Sequence, residues 1–210
     1  MHEQLLLIIG ITALCMLSPG PDMALVMRST LIGGRQNGGM TATGILTGNL
    51  IHIGYCALGI GWIISRSVIA FNILKFAGAA YLIYLGIRSL RAAGGKQDWA
   101  ADTDWTVHSK PPSSRAAYVQ GLINNLLNPK GTLFYLGVFS QVITPETSTP
   151  EKLVLIAVMI GVSTLFWIVF IHTLHLPAIR SGLSKARDSI ERVFGIALIF
   201  LGLRVATLDQ

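Results

Sequence analysis

Charge is scarce in this chain. Asp, Glu, Lys and Arg make up 12% of its 210 residues, where a soluble domain carries about a quarter. Mean hydropathy is +0.61 and hydrophobic residues reach 52%. Too little polar surface remains to cover a shell facing water, so lipid must solvate much of the molecule. Cysteine is scarce too. Cys15 and Cys56 lie inside apolar runs, have no CxxC or other metal-ligand spacing, and read as small packing residues. Basic runs interleaved with aromatics are missing, so the net charge of +6 reads as Lys and Arg holding one side of a membrane rather than as a nucleic-acid surface. A cleavable leader is not expected. Met1-His2-Glu3-Gln4 has no basic run, no A-x-A site follows, and the apolar stretch continues past Pro19 to Met27. No metal or cofactor is expected either: His172 and His175 are three residues apart but have no Cys or carboxylate beside them.

Long apolar runs fill most of what is there. They predict an all-α integral membrane protein, a single domain over 1–210, with spans at about 5–27, 41–64, 69–87, 116–139, 153–175 and 193–208. Gly33-Gly34 and Gly38-Gly39 mark the first junction. A linker at 91–114 carries Gly94-Gly95 and Pro111-Pro112-Ser113-Ser114, and another at 140–152 carries Pro145 and Pro150. Orientation follows from Lys and Arg. With the N-terminus outside, the inner loops hold Arg28, Arg35, Arg88, Arg91, Lys96, Lys110, Arg115, Arg180, Lys185, Arg187 and Arg192, eleven in all. The outer side holds four: Arg66, Lys75, Lys152 and Arg204. The expected topology is N-out, C-out. Between the fifth and sixth spans, residues 177–192 alternate apolar and basic positions at helical spacing, the pattern of a short helix at the inner interface.

Two segments repeat. Tyr81-Leu82-Ile83-Tyr84-Leu85-Gly86-Ile87-Arg88 ends the third span, and Ala197-Leu198-Ile199-Phe200-Leu201-Gly202-Leu203-Arg204 ends the sixth, with five of eight positions identical. The first and fourth spans each contain a proline break: Ser18-Pro19-Gly20-Pro21 and Asn128-Pro129-Lys130-Gly131. This predicts 3+3 spans, repeat 1 at about 5–90 and repeat 2 at about 115–208, joined by a cytoplasmic linker at 91–114. Three is odd, so the halves run in opposite directions. Paired Pro/Gly interruptions in inverted halves point to a transport site near the midplane.

Asp22 is the acidic residue inside a well-defined span. A carboxylate there costs about 2.5–3.5 kcal/mol on insertion scales, so it needs a partner or a task. It follows Pro19, Gly20 and Pro21, where helical hydrogen bonds are lost and a new helix N-terminus begins. Asp22 could cap that half-helix, bind substrate and carry a coupling proton; these roles are compatible. Lys130 occupies the matching break and could pair with Asp22, or snorkel outward. Gln120, Asn124, Asn125 and Asn128 share one broad helix face ending at Pro129. Its amides could hold both ends of a zwitterion or glue helices together. On the second span, Gly44, Gly48 and His52 recur every four residues, with Asn49 one turn before His52. His52 could relay protons or simply pack.

Leu17-Ser18-Pro19-Gly20-Pro21-Asp22, the glycine-rich stretch from Gly33 to Gly48, Tyr81 to Gly86, and Gly121-Leu122-Ile123-Asn124-Asn125-Leu126-Leu127-Asn128-Pro129-Lys130 together resemble the LysE/RhtB family of bacterial amino-acid exporters. The similarity extends over nearly the whole chain and is greatest to the homoserine/threonine exporter branch. It implies a six-helix inverted repeat in the bacterial inner membrane, multi-pass, with export driven by the proton motive force. It places Asp22 and the Pro19 and Pro129 breaks at the substrate region.

The expected function is a secondary transporter of small neutral amino acids, threonine- or homoserine-like, working by proton antiport. Its partners would be the amino acid, protons and lipid, with a homo-oligomer also open. Exporters of leucine-like or basic amino acids are alternatives. A basic substrate would want a second intramembrane carboxylate, and none is evident beside Asp22. An intramembrane enzyme would need features the chain lacks, such as G-x-S-x-G or an aspartate cluster. A passive channel would be indifferent to a proton gradient.

Overall fold

The computed structural model describes residues 2–93, 111–144, 147–174 and 176–207. Among these residues the chain is all helical. The seven helices are α1 (His2–Leu17), α2 (Pro21–Arg66), α3 (Val68–Ala92), α4 (Ser114–Leu126), α5 (Pro129–Val142), α6 (Thr149–Thr173) and α7 (Pro177–Thr207). Most of the 91–114 linker, Pro145, His175 and the end of the last expected span lie outside the described residues.

Both proline breaks are present. α1 stops at Leu17 and α2 restarts at Pro21, with a bend of 60° between them. α4 stops at Leu126 and α5 restarts at Pro129. Proline has no N–H to continue a ladder but suits the first turn of a new one. The Asn128 side chain caps α5 by accepting from the Lys130 backbone N–H at 3.1 Å.

Three boundaries differ from the sequence reading. The glycine-rich junction does break the helix, but over a shorter stretch than expected: helix runs up to both sides of Gly34, which alone leaves helical geometry, at φ 74°, ψ −179°. Only glycine takes that φ without strain, so one residue turns the chain where four glycines suggested a linker. Pro150 lies in the first turn of α6, behind a capping box made by Ser148 and Glu151. Residues 177–192 are not a separate interfacial helix. They run unbroken into the last span as α7.

α6 has 25 residues, about 38 Å of helix against a hydrocarbon core of about 30 Å. Among the described residues it is the helix that alone is long and apolar enough to cross; Leu5–Leu17 and Pro21–Gly59 pass the same test as a bent pair. Apolar side chains point outward along whole stripes. Leu153, Leu165, Ile168 and Val169 do so on α6, Ile69, Ile73, Phe76 and Tyr84 on α3, and Val193, Ile196, Phe200 and Leu203 on α7. Water would penalise such stripes; lipid does not.

The helices pack in pairs, α2 with α4 and α3 with α7 above all, and then α2 with α6, α3 with α5, α1 with α6, α2 with α5 and α1 with α7. Glycine makes the two main contacts. Gly44 lies on the Tyr118 carbonyl and Gly121 on the Thr41 carbonyl, with no room for a Cβ on either. Between α3 and α7 the fit is reciprocal. A Cβ on Gly86 would meet the Gly195 carbonyl at 2.6 Å and Ile199 at 2.7 Å; one on Gly202 would meet the Ala79 carbonyl at 2.7 Å and Ile83 at 2.7 Å. Gly86 and Gly202 are the matching glycines of the repeated segments.

Two apolar clusters result. One joins Ile8, Ile11, Ile53, Leu82, Phe134, Phe139, Met159, Phe194 and Leu198. The other joins Met23, Val26, Ile45, Trp167, Phe170 and Leu174. Helices that cross from one to the other carry their buried polar groups between. Asn49 and His52 fall between Ile45 and Ile53, Ser163 between Met159 and Trp167, and Ser18 to Asp22 between Ile11 and Met23. Eight residues of helix rise about 12 Å, so the polar band is thin and lies inside the bundle.

Gly86→Ala and Gly202→Ala should each lower stability by about 1–3 kcal/mol, because a carbonyl oxygen must move to admit the methyl. Gly161→Ala, with open space around its Cα, should be nearly neutral. Thermal unfolding in detergent measures all three.

Candidate functional site

The polar band encloses a small cavity at the two helix breaks. Cys15, Ser18, Gly20, Asp22, Asn49, Asn125, Asn128, Lys130, Tyr135 and Trp167 are among the residues lining it. Its volume is about 50 Å³, room for a few waters and less than an amino acid requires. An open groove of about 500 Å³ lies against it, lined by Pro21, Leu25, Val119, Gln120, Ile123, Asn124, Leu127 and Asn128. Asn128 borders both.

Asp22 stands in the first turn of α2, where the free backbone N–H groups favour an anion. Its carboxylate accepts from two side-chain amides of α4. Asn124 Nδ2 donates to Oδ1 at 2.7 Å and Asn125 Nδ2 donates to Oδ2 at 2.9 Å. Asn125 Nδ2 also donates to Asn49 Oδ1 at 3.0 Å. These neighbours on α4 thus tie the first break to the last turn before the second. His52 supports the arrangement from beneath. Its Nε2 lies 3.1 Å from the Asn125 carbonyl, which can only accept, so Nε2 carries the hydrogen. Nδ1 lies 2.6 Å from the Tyr55 hydroxyl and 3.2 Å from the Thr132 hydroxyl, groups that can donate or accept. His52 is a hydrogen-bonded ring that holds Asn125, and it is not among the residues lining the cavity.

Lys130 does not pair with Asp22. Its ammonium donates to the Ser18 hydroxyl at 2.7 Å and the Ser18 carbonyl at 3.4 Å, and sits 5.1 Å from the centre of the Phe194 ring. The reason is geometric. The Ser18 carbonyl is freed by the break and needs a donor, while both Asp22 oxygens are already taken by amides. Gly20 lies beside this ammonium; a Cβ there would sit 3.8 Å from Nζ, an ordinary contact. Of the remaining residues singled out in the sequence, Pro19 is in the first break, Pro21 opens α2 and borders the groove, and Pro129 opens α5. His172 is exposed and hydrogen-bonded to the Ile168 carbonyl.

Glu191 was not anticipated. It lies on α7, 6% exposed, where the sequence suggested an interfacial helix. Ser18 Oγ donates to its Oε1 at 3.1 Å, and the Ser89 hydroxyl from α3 contacts both its Oε2 and its backbone carbonyl. Glu191 is thus a second buried carboxylate beside Asp22, where the sequence showed one. A signal existed: Glu191 is three residues before Phe194, in helical register with the buried Leu198 and Leu201. Trp167 was also missed. Its indole Nε1, Asn49 Nδ2 and Asn125 Oδ1 are buried without a hydrogen-bond partner, and all three residues line the cavity. Buried polar groups left open like this are uncommon and mark a place where a polar ligand would fit.

Broken helices meeting at a polar cavity inside an apolar bundle define a membrane translocator in class. Comparison with known proteins agrees: the chain belongs to the LysE type translocator family, whose pattern matches residues 13–209. Among its relatives is the uncharacterized membrane protein YrhP of Bacillus subtilis (strain 168), 30% identical over 207 residues, covering 97% of this chain and 98% of that one. The homoserine/homoserine lactone efflux protein of Salmonella typhi is 37% identical over 135 residues, 64% of this chain and 62% of that one. The threonine efflux protein of Escherichia coli (strain K12) is 27% identical over 191 residues, 90% of this chain and 91% of that one. No solved structure matches. The chain is a membrane protein and a translocator, not an enzyme.

Asn125→Ala removes one of the two amides on Asp22 and the contact to Asn49. A hydrogen bond to a charged group contributes about 1.5–3 kcal/mol, so a loss of that order is expected in thermal unfolding. Asn125→Asp should be worse, since it sets two carboxylates against each other.

Proposed function

We propose that this protein is a secondary transporter that exports small neutral amino acids, threonine- or homoserine-like, from the cytoplasm by proton antiport. The observation that carries the reading is the separation of charge in one cavity. Asp22 and Lys130 line the same space, yet each is held by neutral groups rather than by the other. A zwitterion complements that arrangement: its ammonium faces Asp22 and its carboxylate faces Lys130. The unpartnered Asn49 amide and Trp167 indole N–H add donors for the carboxylate or a side-chain hydroxyl. Glu191 does not reopen the case for a basic substrate, because its charge is already engaged toward Lys130 through Ser18. Relatives that carry homoserine and threonine efflux in their names support the same substrate class.

The membrane arrangement proposed is six spans in 3+3 inverted repeats, N-out and C-out, multi-pass in the bacterial inner membrane. The pairs α1–α2 and α4–α5 are then the first and fourth spans, each broken. The packing supports this. α3 and α7, which end the two halves, pack against each other. The reciprocal Gly86 and Gly202 contacts lie where the twofold would pass.

Asp22 is the proposed coupling residue. Protonation from outside removes its charge, releases the substrate ammonium, and draws about 2.3 kcal/mol per 100 mV for each proton returned inward. In proteoliposomes, labelled threonine or homoserine should move in response to an imposed pH gradient, and Asp22→Asn should abolish the response. Full gradient-dependent export by Asp22→Asn would sink the mechanism, and preferential lysine or arginine transport by the wild type would sink the substrate class.

A further inference from the structure

Lys130 is the cation in the cavity, and its side chain is already occupied. The contacts form a chain across three elements. Lys130 Nζ donates to Ser18 Oγ at 2.7 Å, and Ser18 Oγ donates onward to Glu191 Oε1 at 3.1 Å. A hydroxyl can accept from one side and donate to the other, so Ser18 links an ammonium to a carboxylate without bringing them into contact. Phe194, on the same face of α7 as Glu191, has its ring beneath the ammonium. Ser18 is 5% exposed and Glu191 6%, so solvent screens little of the attraction. Ser89 of α3 holds the other carboxylate oxygen and fixes its position.

We propose that Glu191 is the resting counter-anion of Lys130, and that a substrate carboxylate displaces it. Glu191 is thus a positioning residue that sets how strongly the site takes the carboxylate end of its substrate. This rests on the amino-acid reading of the cavity. In the empty carrier the charge of Lys130 is balanced from α7 through Ser18. When a carboxylate enters beside Gly20, Lys130 turns from Ser18 to the substrate. The break between α1 and α2 then loses its tie to α5, while Ser18 and Ser89 stay on Glu191. On release the internal anion recovers Lys130, which keeps substrate from being held too tightly to leave.

The test has two arms. The first does not depend on transport: a double-mutant cycle in thermal unfolding of the detergent-purified protein. Lys130→Met and Glu191→Gln should each destabilise, because each leaves one buried charge without its partner, and the double variant should recover much of the loss. Strict additivity would overturn the pairing. The second arm measures efflux kinetics in proteoliposomes with two probes, threonine and homoserine lactone, an amine without a free carboxylate. Glu191→Gln should lower the threonine KM about tenfold, the scale of one charge-assisted hydrogen bond. It should also lower the threonine kcat and leave the homoserine lactone KM within about twofold. Glu191→Asp should restore the wild-type split. Equal shifts for both probes, or an unchanged threonine KM with loss of the pH-gradient response, would overturn the displacement role and make Glu191 a structural or proton-carrying group. Wild-type vesicles that move neither probe would instead refute the amino-acid reading, and displacement with it, while the first arm still reports on the pair.

Discussion

Backbone polar groups cannot be left open inside an apolar bundle, and this constraint organises the molecule. Two proline breaks free carbonyls and N–H groups where lipid and buried side chains offer nothing. Asn128 caps the second break from its own half, and side chains of the opposite half reach both breaks. Lys130 reaches the Ser18 carbonyl, and Asn124 and Asn125 hold the Asp22 carboxylate in the first turn of the new helix. His52 takes up the Asn125 carbonyl near the end of α4. The repairs bring a carboxylate, an ammonium and several amides to one point. The chemistry of the site is a consequence of the breaks, not an addition to them.

Glycine makes the repairs reachable. Side-chain amides are short, so α2 and α4 must approach until backbone touches backbone. Gly44, Gly48 and Gly121 permit that: a Cβ on Gly48 would collide with the Asn125 side chain itself. The spacing of Gly44, Gly48 and His52 looked like a packing motif or a proton relay. It is a packing face that delivers Asn49 and His52 to Asn125, so both readings converge on positioning.

Much of this was legible in the sequence, because prolines and polar residues inside apolar runs are local signals. The two breaks, the amide face of α4 and the isolation of Asp22 could all be read from neighbours in the chain. The partner of Lys130 could not. Opposite charges in matching breaks suggested an ion pair, but the choice depends on which groups are already satisfied, and that is a three-dimensional fact. Glu191 was hidden for another reason. It is flanked by Asp188 and Arg192 and follows Arg180, Lys185 and Arg187, so its stretch has the composition of a surface helix. Continuity of α7 carries it inward, and that continuity is set by packing against α3 rather than by hydropathy. The glycine junction was legible as a break, but not its width, since composition cannot tell four loop glycines from one turning glycine among helical ones.

The size of the cavity adds a mechanical consequence. At about 50 Å³ it cannot hold an amino acid, so a translocator working at this point must separate elements that are joined here. The joints differ in kind. α3 and α7 meet backbone to backbone around Gly86, Gly195 and Gly202, a contact with no slack and no exchangeable partner. At the two breaks, beside the equally close α2–α4 contact at Gly44 and Gly121, the joints are hydrogen bonds from flexible or rotatable side chains, Lys130 to Ser18 and Asn124 to Asp22. On the proposed function, substrate would compete for the second kind of contact and not the first. Opening at the breaks around a fixed α3–α7 contact is the motion these two kinds of joint permit at least cost.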